Sequence, residues 1–243
     1  MNPAVHTALA SPALTIALPV HDEIATLAEV VTRALAVLAR LAPGARGEVL
    51  IVDDGSRDGS GALADRLAHG DPSVRVIHHP ENRGYAEVQR ACFANARGEW
   101  IFLMPADGQV DPACLDALLA AARAPGEAEV GLVVGVPAAG SPARASSTAY
   151  HLAVAALFGR RSWWRLGPCL LVRREIVRRL SLRSRTPVLM TELAVSVERD
   201  GARVCGVPID VRARAFGTSA RATLYARVPR ILVELVKLRF PSR

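Results

Sequence analysis

A single α/β domain, built on a mostly parallel central sheet with helices on both faces, is predicted by three observations. First, short apolar runs alternate with helical patterns from Leu14 to Val136. Second, three of those runs stop at a polar cluster: His21-Asp22-Glu23, Asp53-Asp54-Gly55-Ser56 and Asp107-Gly108-Gln109. In open parallel sheets ligands sit at the carboxyl ends of strands, near a switch in strand order, and all three clusters fall at that edge. Third, 243 residues with 51% hydrophobic and 22% charged side chains suffice to bury the core of one large domain.

The elements follow in order. Leu14 to Val20 reads as a buried strand. Asp22 is placed to cap a helix carrying Ile24, Leu27, Val30, Val31, Leu35 and Leu38 at helical spacing, and Pro43-Gly44 ends it. Val49 to Val52 is the second strand, with a helix around Ala62 to Leu67 after a Gly/Ser turn. Val74 to Ile77 is the third strand, Tyr85 to Ala96 a helix closed by Gly98, and Trp100 to Met104 the fourth strand. Asp111-Pro112 starts another helix, with Asp as N-cap and Pro in the first turn. Val130 to Val136 is the fifth strand. Beyond it the pattern predicts a helix from about Ala145 to Phe158, a strand Leu170 to Val172, helices Arg174 to Leu180 and Pro187 to Glu198, and a last strand Arg203 to Val211. No linker or repeat divides the chain, so residues 14–223 form the domain. Residues 1–13 form a flexible tail without signal-peptide character, and residues 224–243 a basic amphipathic helix. On that helix Leu224, Val228, Ile231, Leu232, Leu235 and Leu238 share one face, with Arg227, Arg230, Glu234 and Lys237 on the other. Such a helix either lies in a membrane interface or packs on the domain.

Composition narrows the function classes. The net charge is +7, and only Asp210 and Glu234 oppose the Arg and Lys residues after Ala202, a balance suited to anionic lipid or nucleotide phosphates. Aromatic content of 5% leaves little for base stacking and argues against nucleic acid. No uncharged apolar run reaches the ~18 residues of a membrane span. Cys92, Cys114, Cys169 and Cys205 are far apart, form no CxxC pair and read as buried thiols of a reducing cytoplasm. No GxGxxG, GxxxxGK[ST] or GxSxG occurs, which disfavours dinucleotide oxidoreductases, P-loop proteins and α/β-hydrolases.

Adjacent carboxylates at Asp53 and Asp54 repel each other unless something uses them: a base N–H, a ribose hydroxyl, a cation, or simply a capped turn. Asp107 and Gln109, two apart at a strand end, present oxygens that one hard cation such as Mg²⁺ or Mn²⁺ accepts.

These segments together resemble the family 2 glycosyltransferases of the Rossmann-like GT-A fold, within them the polyprenyl-phosphate and dolichol-phosphate sugar transferases. Val52 to Ser60 (V-D-D-G-S-R-D-G-S) is similar to the family's V-D-D-G-S-x-D-G-[ST]. Ala17 to Glu23 resembles the opening strand and its Pro-x-x-Asn-Glu turn, and Asn82-Arg83-Gly84-Tyr85 with Ala96 to Glu99 the third helix and its flanks. Ala106 to Gln109 resembles the end of the metal motif, and Arg214 to Ser219 resembles R-x-x-G-x-S. The resemblance implies transfer of a sugar, with inversion, from a UDP- or GDP-sugar to an acceptor, foremost a polyprenyl phosphate, at the inner face of the cell membrane. It implies donor binding by Pro19, Glu23, Asp53 and Asp54 with Arg83 nearby, and Mg²⁺ or Mn²⁺ at Asp107 and Gln109. It also implies acceptor-phosphate binding by Arg144, Ser147, Arg214, Ser219 and Arg221, so that Asp107, Arg144 and Arg214 serve catalysis. An acceptor hydroxyl would instead need a base, for which Glu192 is a candidate. Five places depart from the pattern: Pro105 stands where the metal motif has its first Asp, His21 and Asp22 where the first turn has an aromatic and Asn, the stretch near Trp164 where an Asp often precedes the late strand, and Ala220 where a Lys often follows. A relative that binds donor or lipid without turnover is the alternative. Asp53→Ala and Asp107→Ala are each expected to abolish transfer with the fold intact.

Overall fold

Seven strands form one sheet in the computed structural model, which describes residues 14–41, 47–126, 128–139, 148–159, 166–213 and 221–240, with backbone alone for 148 and 221–227. The strands are β1 Leu14–Val20, β2 Glu48–Asp53, β3 Val74–His78, β4 Trp100–Leu103, β5 Val130–Pro137, β6 Leu170–Arg173 and β7 Arg203–Ile209. The helices are α1 Leu27–Leu41, α2 Ser60–Gly70, α3 Tyr85–Asn95, α4 Leu115–Ala122, α5 Thr148–Phe158, α6 Arg174–Arg179, α7 Val188–Arg199 and α8 Arg221–Arg239, and a 3₁₀ turn at Pro112–Cys114 precedes α4.

Sheet order is β3-β2-β1-β4-β6-β5-β7, parallel throughout except for β6, which runs against β4 and β5. The chain moves from β1 outward to β2 and β3, then returns to place β4 on the other side of β1. The strand order therefore reverses between β1 and β4, and the crevice of an open α/β sheet lies at that point.

Alternation along the strands divides the core into two layers. Leu14, Ile16, Leu18 and Val20 face α1, α2 and α4 together with Val49, Ile51 and Phe102. Ala17, Leu50, Val52, Ile101 and Leu103 face α3, α6, α7 and α8. Both faces are covered, so β1 and β2 read as nearly continuous apolar runs.

Two boundaries and one helix face differ from the sequence expectation. α1 begins at Leu27, because the amide of Ile24 is held by Asp58 (3.0 Å) and those of Thr26 and Leu27 turn onto Glu23 O (3.1 and 3.0 Å). β7 ends at Ile209, and Val211 instead bridges antiparallel to Val110. α8 is rotated from the predicted face: Ile231 and Leu235 are buried, whereas Val228 and Leu232 are exposed. The rotation turns Glu234, expected on the solvent face, toward Thr186, whose hydroxyl it accepts at 2.7 Å. The helix end predicted at Pro43-Gly44 lies outside the described residues. Among the described residues no helix is long and apolar enough to cross a membrane.

Candidate functional site at the carboxyl edge of the sheet

β1, β2 and β4 end side by side, and hydrogen bonds stitch the segments that follow them into one surface. The turn after β1 is pinned by the loop after β2: Asp22 N–H donates to Ser56 Oγ (3.0 Å), Glu23 N–H to Ser60 Oγ (2.9 Å), and Arg57 N–H back to Asp22 Oδ1 (2.8 Å). Asp58 Oδ1 accepts from the Ser60 amide and hydroxyl, so each polar side chain of the D-G-S block orients a backbone group of the first turn. The turn after β1 is joined in the same way to the loop after β4, where Thr26 Oγ1 donates to Ala106 O (2.7 Å).

Asp22 sits at φ 54°. Among non-glycine residues, Asn and Asp enter this left-handed region most readily, which accounts for an Asp where the resembling family has Asn. Gly55 is required more strictly. It has φ 68°, and a Cβ there would stand 2.6 Å from the Glu81 carbonyl carbon and 2.7 Å from Asn82 N. That close approach brings the loop 79–84 against the Asp pair.

The two carboxylates find internal partners. Asp53, 4% exposed, accepts from the Ser56 amide (3.1 Å) and faces His78 Nδ1 (2.9 Å). Asp54, 2% exposed, accepts from His79 Nδ1 (2.6 Å) and from the amides of Arg83 and Gly84 (2.9 Å each). The adjacent charges are tolerated because each has a separate set of donors. Asp53→Ala removes a buried, bonded carboxylate and is therefore expected to lower stability as well as transfer. His21 donates from Nδ1 to Asp54 O (3.0 Å), and its Nε2 lies 2.9 Å from the Asn82 side-chain nitrogen and 3.6 Å from Asp22 Oδ2.

His78 and His79 were missed in the sequence, although the signal was present. Two four-residue runs, Val49 to Val52 and Val74 to Ile77, are each followed by a polar pair, and parallel register sets Asp53 opposite His78. Burial alone would raise the Asp53 carboxyl, but the bonds from Ser56 and His78 outweigh it and hold the group below its ordinary value of 3.8. His78 is raised above 6.5, first by its bond to Asp53, against burial, and further by Asp65. The carboxylate's contribution to stability is lost as pH falls through its lowered value. The imidazolium's contribution is complete below 6.5 and fades as pH rises through the raised one. Thermal melting of wild type and His78→Gln is expected to differ more at pH 5.5 than at pH 8.5; an equal gap at both would remove the ion pair from the account.

Pro19 is half-buried opposite Val52, beyond the stretch of β1 that pairs with β4, so its missing N–H breaks no ladder bond. Glu23, in the turn that follows, is partly exposed. After β4 the chain bends rather than staying extended: Gly108 takes φ 72°, and Asp107 Oδ1 accepts the Gln109 amide (3.0 Å). Gln109 Nε2 donates to Arg212 O (3.0 Å). Among the described residues this leaves Asp107 Oδ2 and Gln109 Oε1 without partners, two hard oxygen donors at the sheet edge. Among the described residues no cluster of three or more His, Cys, Asp or Glu is arranged to hold a metal. Two oxygens from the protein, completed by phosphate and water oxygens, are a donor set that Mg²⁺ or Mn²⁺ accepts.

Arg83 is exposed at the start of α3. Arg144, Ser147, Arg214 and Ser219 lie outside the described residues, and Arg221 is the first residue of α8, with its backbone alone described. Glu192 is neither a free base nor a surface residue. It is 8% exposed and accepts the amides of Arg183 (2.9 and 3.0 Å) and Ser184 (2.7 Å). A cavity of about 720 Å³ lined by Leu14, Trp100 and Val130 lies at the amino edge of the sheet, away from these groups.

The doubly covered, mostly parallel sheet and the polar surface at its switch point define the chain as an α/β protein of the GT-A type. Comparison gives the family: residues 15–181 match the model for glycosyl transferase family 2, and the chain belongs to that family. It is similar to the polyprenol monophosphomannose synthase of Mycolicibacterium smegmatis, 41% identical over 87 residues that make up 34% of this chain and 33% of that relative. For two further relatives the matched share of their length is 29% and 24%. The fold is shared with the mannosyltransferase PcManGT from Pyrobaculum calidifontis in complex with GDP-Man and Mn²⁺ (TM-score 0.65, 19% identity, 96% of this chain and 71% of that one). It is shared equally with glucosyl-3-phosphoglycerate synthase from Mycobacterium tuberculosis in complex with Mn²⁺, UDP and phosphoglyceric acid (TM-score 0.68, 19% identity, 96% and 80%).

Proposed function

We propose that the chain transfers a sugar from a UDP- or GDP-sugar to a polyprenyl phosphate at a membrane surface. The observation that carries this reading is the bonded surface joining the first turn, the Asp53–Ser60 loop and the Asp107–Gln109 bend at the switch point of the sheet. Pro19, Glu23 and Asp53 hold the nucleotide, and Asp54 fixes the loop from which Arg83 projects. Asp107 and Gln109 supply oxygens to Mg²⁺ or Mn²⁺, and that ion, when bound, neutralises charge building on the leaving diphosphate. The Mn²⁺ complexes of the two structural neighbours support the choice of ion.

The use of Glu192 as a loop anchor supports a phosphate acceptor. A phosphate monoester, with a second pKa of about 6, is ionised without a base. In-line attack by its oxygen inverts the anomeric centre. The partial likeness to polyprenol and dolichol-phosphate transferases points to the same acceptor.

Membrane contact would be made by α8. Val228, Leu232, Val236 and Phe240, spaced by four, are exposed beside Val233, and Arg230, Lys237 and Arg239 border them. Leu232→Glu with Val236→Glu is expected to reduce co-sedimentation with anionic vesicles several-fold; unchanged binding would remove α8 from the interface.

The principal test is thermal stabilisation by UDP- and GDP-sugars with and without Mn²⁺. A donor at about 100 times its Kd adds about 2.7 kcal/mol, on the order of 5–10 °C in melting temperature. Stabilisation by one donor that disappears with EDTA is the expected result. The absence of any shift would favour a relative without donor chemistry, with Pro105 as its cause.

A further inference from the structure

The backbone from Arg183 to Thr186 is held by carboxylates from two helices. Glu192 of α7 takes the amides of Arg183 and Ser184, and Glu234 of α8 those of Arg185 and Thr186 (3.3 Å each). The Arg90 guanidinium of α3 adds bonds to the carbonyls of Leu182 and Ser184. Four successive amides are thus spent on anchoring, and the loop is fixed against the start of α3.

A cavity of about 360 Å³ opens there, lined by Arg83, Gly84 and Tyr85, by Arg185 and Thr186, and by Arg230. Three guanidinium-bearing residues from three separate segments meet around it. Among the described residues the Arg83 and Arg185 guanidinium groups have no partner. Glu87 also lines the cavity, but its carboxylate is paired with Arg90 at 2.8 Å, and Glu234 lies 3.4 Å from Arg230 Nε while serving the loop. Of the residues lining the cavity, three carry guanidiniums and one, Glu87, a carboxylate; in the surrounding anchors Arg90 stands with Glu192 and Glu234. The N-cap of α3 is Gly84, which has no side chain to cap the first-turn amides, so the positive end of that helix adds to the field.

We infer that this cavity binds the phosphate group of a phosphate ester, in a site separate from the metal-side donors Asp107 and Gln109. Guanidinium groups on independent elements suit an oxyanion with several acceptor oxygens, and the volume admits part of the group that carries it. The site stands on the cavity itself. Only the choice between a lipid phosphate and a soluble one draws on the proposed reaction.

Calorimetric titration with inorganic phosphate and with glucose 1-phosphate, at low salt, tests the site in wild type and in Arg185→Gln with Arg230→Gln. Binding is expected to be saturable in wild type and about tenfold or more weaker in the double variant, because charge-assisted bonds to the oxyanion are lost. Arg83→Gln is titrated in parallel, because Arg230 also touches Glu234. Vesicles with and without polyprenyl phosphate form the second arm. A loss confined to soluble esters assigns a soluble ligand; a matching loss of polyprenyl-phosphate-dependent vesicle binding assigns the lipid. Equal phosphate affinity in wild type and in both variants, or no saturable binding of any of these phosphates to wild type, overturns the inference. Donor-sugar stabilisation, measured on wild type and on the Arg185→Gln, Arg230→Gln variant, fails or survives independently and reports on the proposed reaction alone.

Discussion

Asp107→Asn is expected to lower the rate of sugar transfer about 100- to 1,000-fold while leaving the melting temperature within about 2 °C of wild type. The asymmetry follows from the two oxygens of one carboxylate. Oδ1 accepts the Gln109 amide and shapes the bend, a bond that the Asn side-chain carbonyl reproduces. Oδ2 has no partner among the described residues, and its charge is what the substitution removes. Pro105 stands where the resembling family has the first motif Asp, so within that motif Asp107 is the one carboxylate that the proposed ion would have. Steady-state rates with the donor identified by thermal shift, set beside a melting curve, check both halves. Full activity in the variant would sink the metal assignment; a large fall in melting temperature would make Asp107 a structural residue.

Asp54→Ala is expected to have the opposite signature. It strips the acceptor from His79 Nδ1 and from the amides of Arg83 and Gly84, in a position 2% exposed. Leaving buried donors unpaired costs about 3–5 kcal/mol in comparable cases, on the order of 10 °C in a domain of this size. The loss propagates along the loop 79–84, which carries Arg83 and begins α3, so donor binding falls with stability. Differential scanning calorimetry of the variant gives the answer, and a shift below about 2 °C would show that the three donors find water instead.

Much of this architecture was legible in residue order. Leu14–Val20 and Glu48–Asp53 declared themselves as buried parallel strands because both faces are covered, so hydrophobicity runs through every position. The V-D-D-G-S-R-D-G-S block and the Asp107–Gln109 pair marked the carboxyl edge because polar residues directly after buried strands need a partner at that edge. What a linear reading could not supply was the identity of those partners. Asp53 and Asp54 read only as carboxylates in need of a partner, because their internal donors, His78, His79 and the amides of Arg83 and Gly84, arrive from another strand and the loop after it. Glu192 looked like a base or a surface residue for the same reason, its donors lying across an intervening loop.

The sequence by itself determined the alternation of strands and helices, the family and the edge of the sheet that carries the polar clusters, because periodicity and strand-end composition are local properties. The tertiary structure alone decided which carboxylates are consumed within the chain and which keep a free oxygen, how α8 is rotated, and where Arg83, Arg185 and Arg230 converge. Those outcomes depend on contacts between segments far apart in the chain, where burial makes every unpaired charge costly and so selects one set of partners.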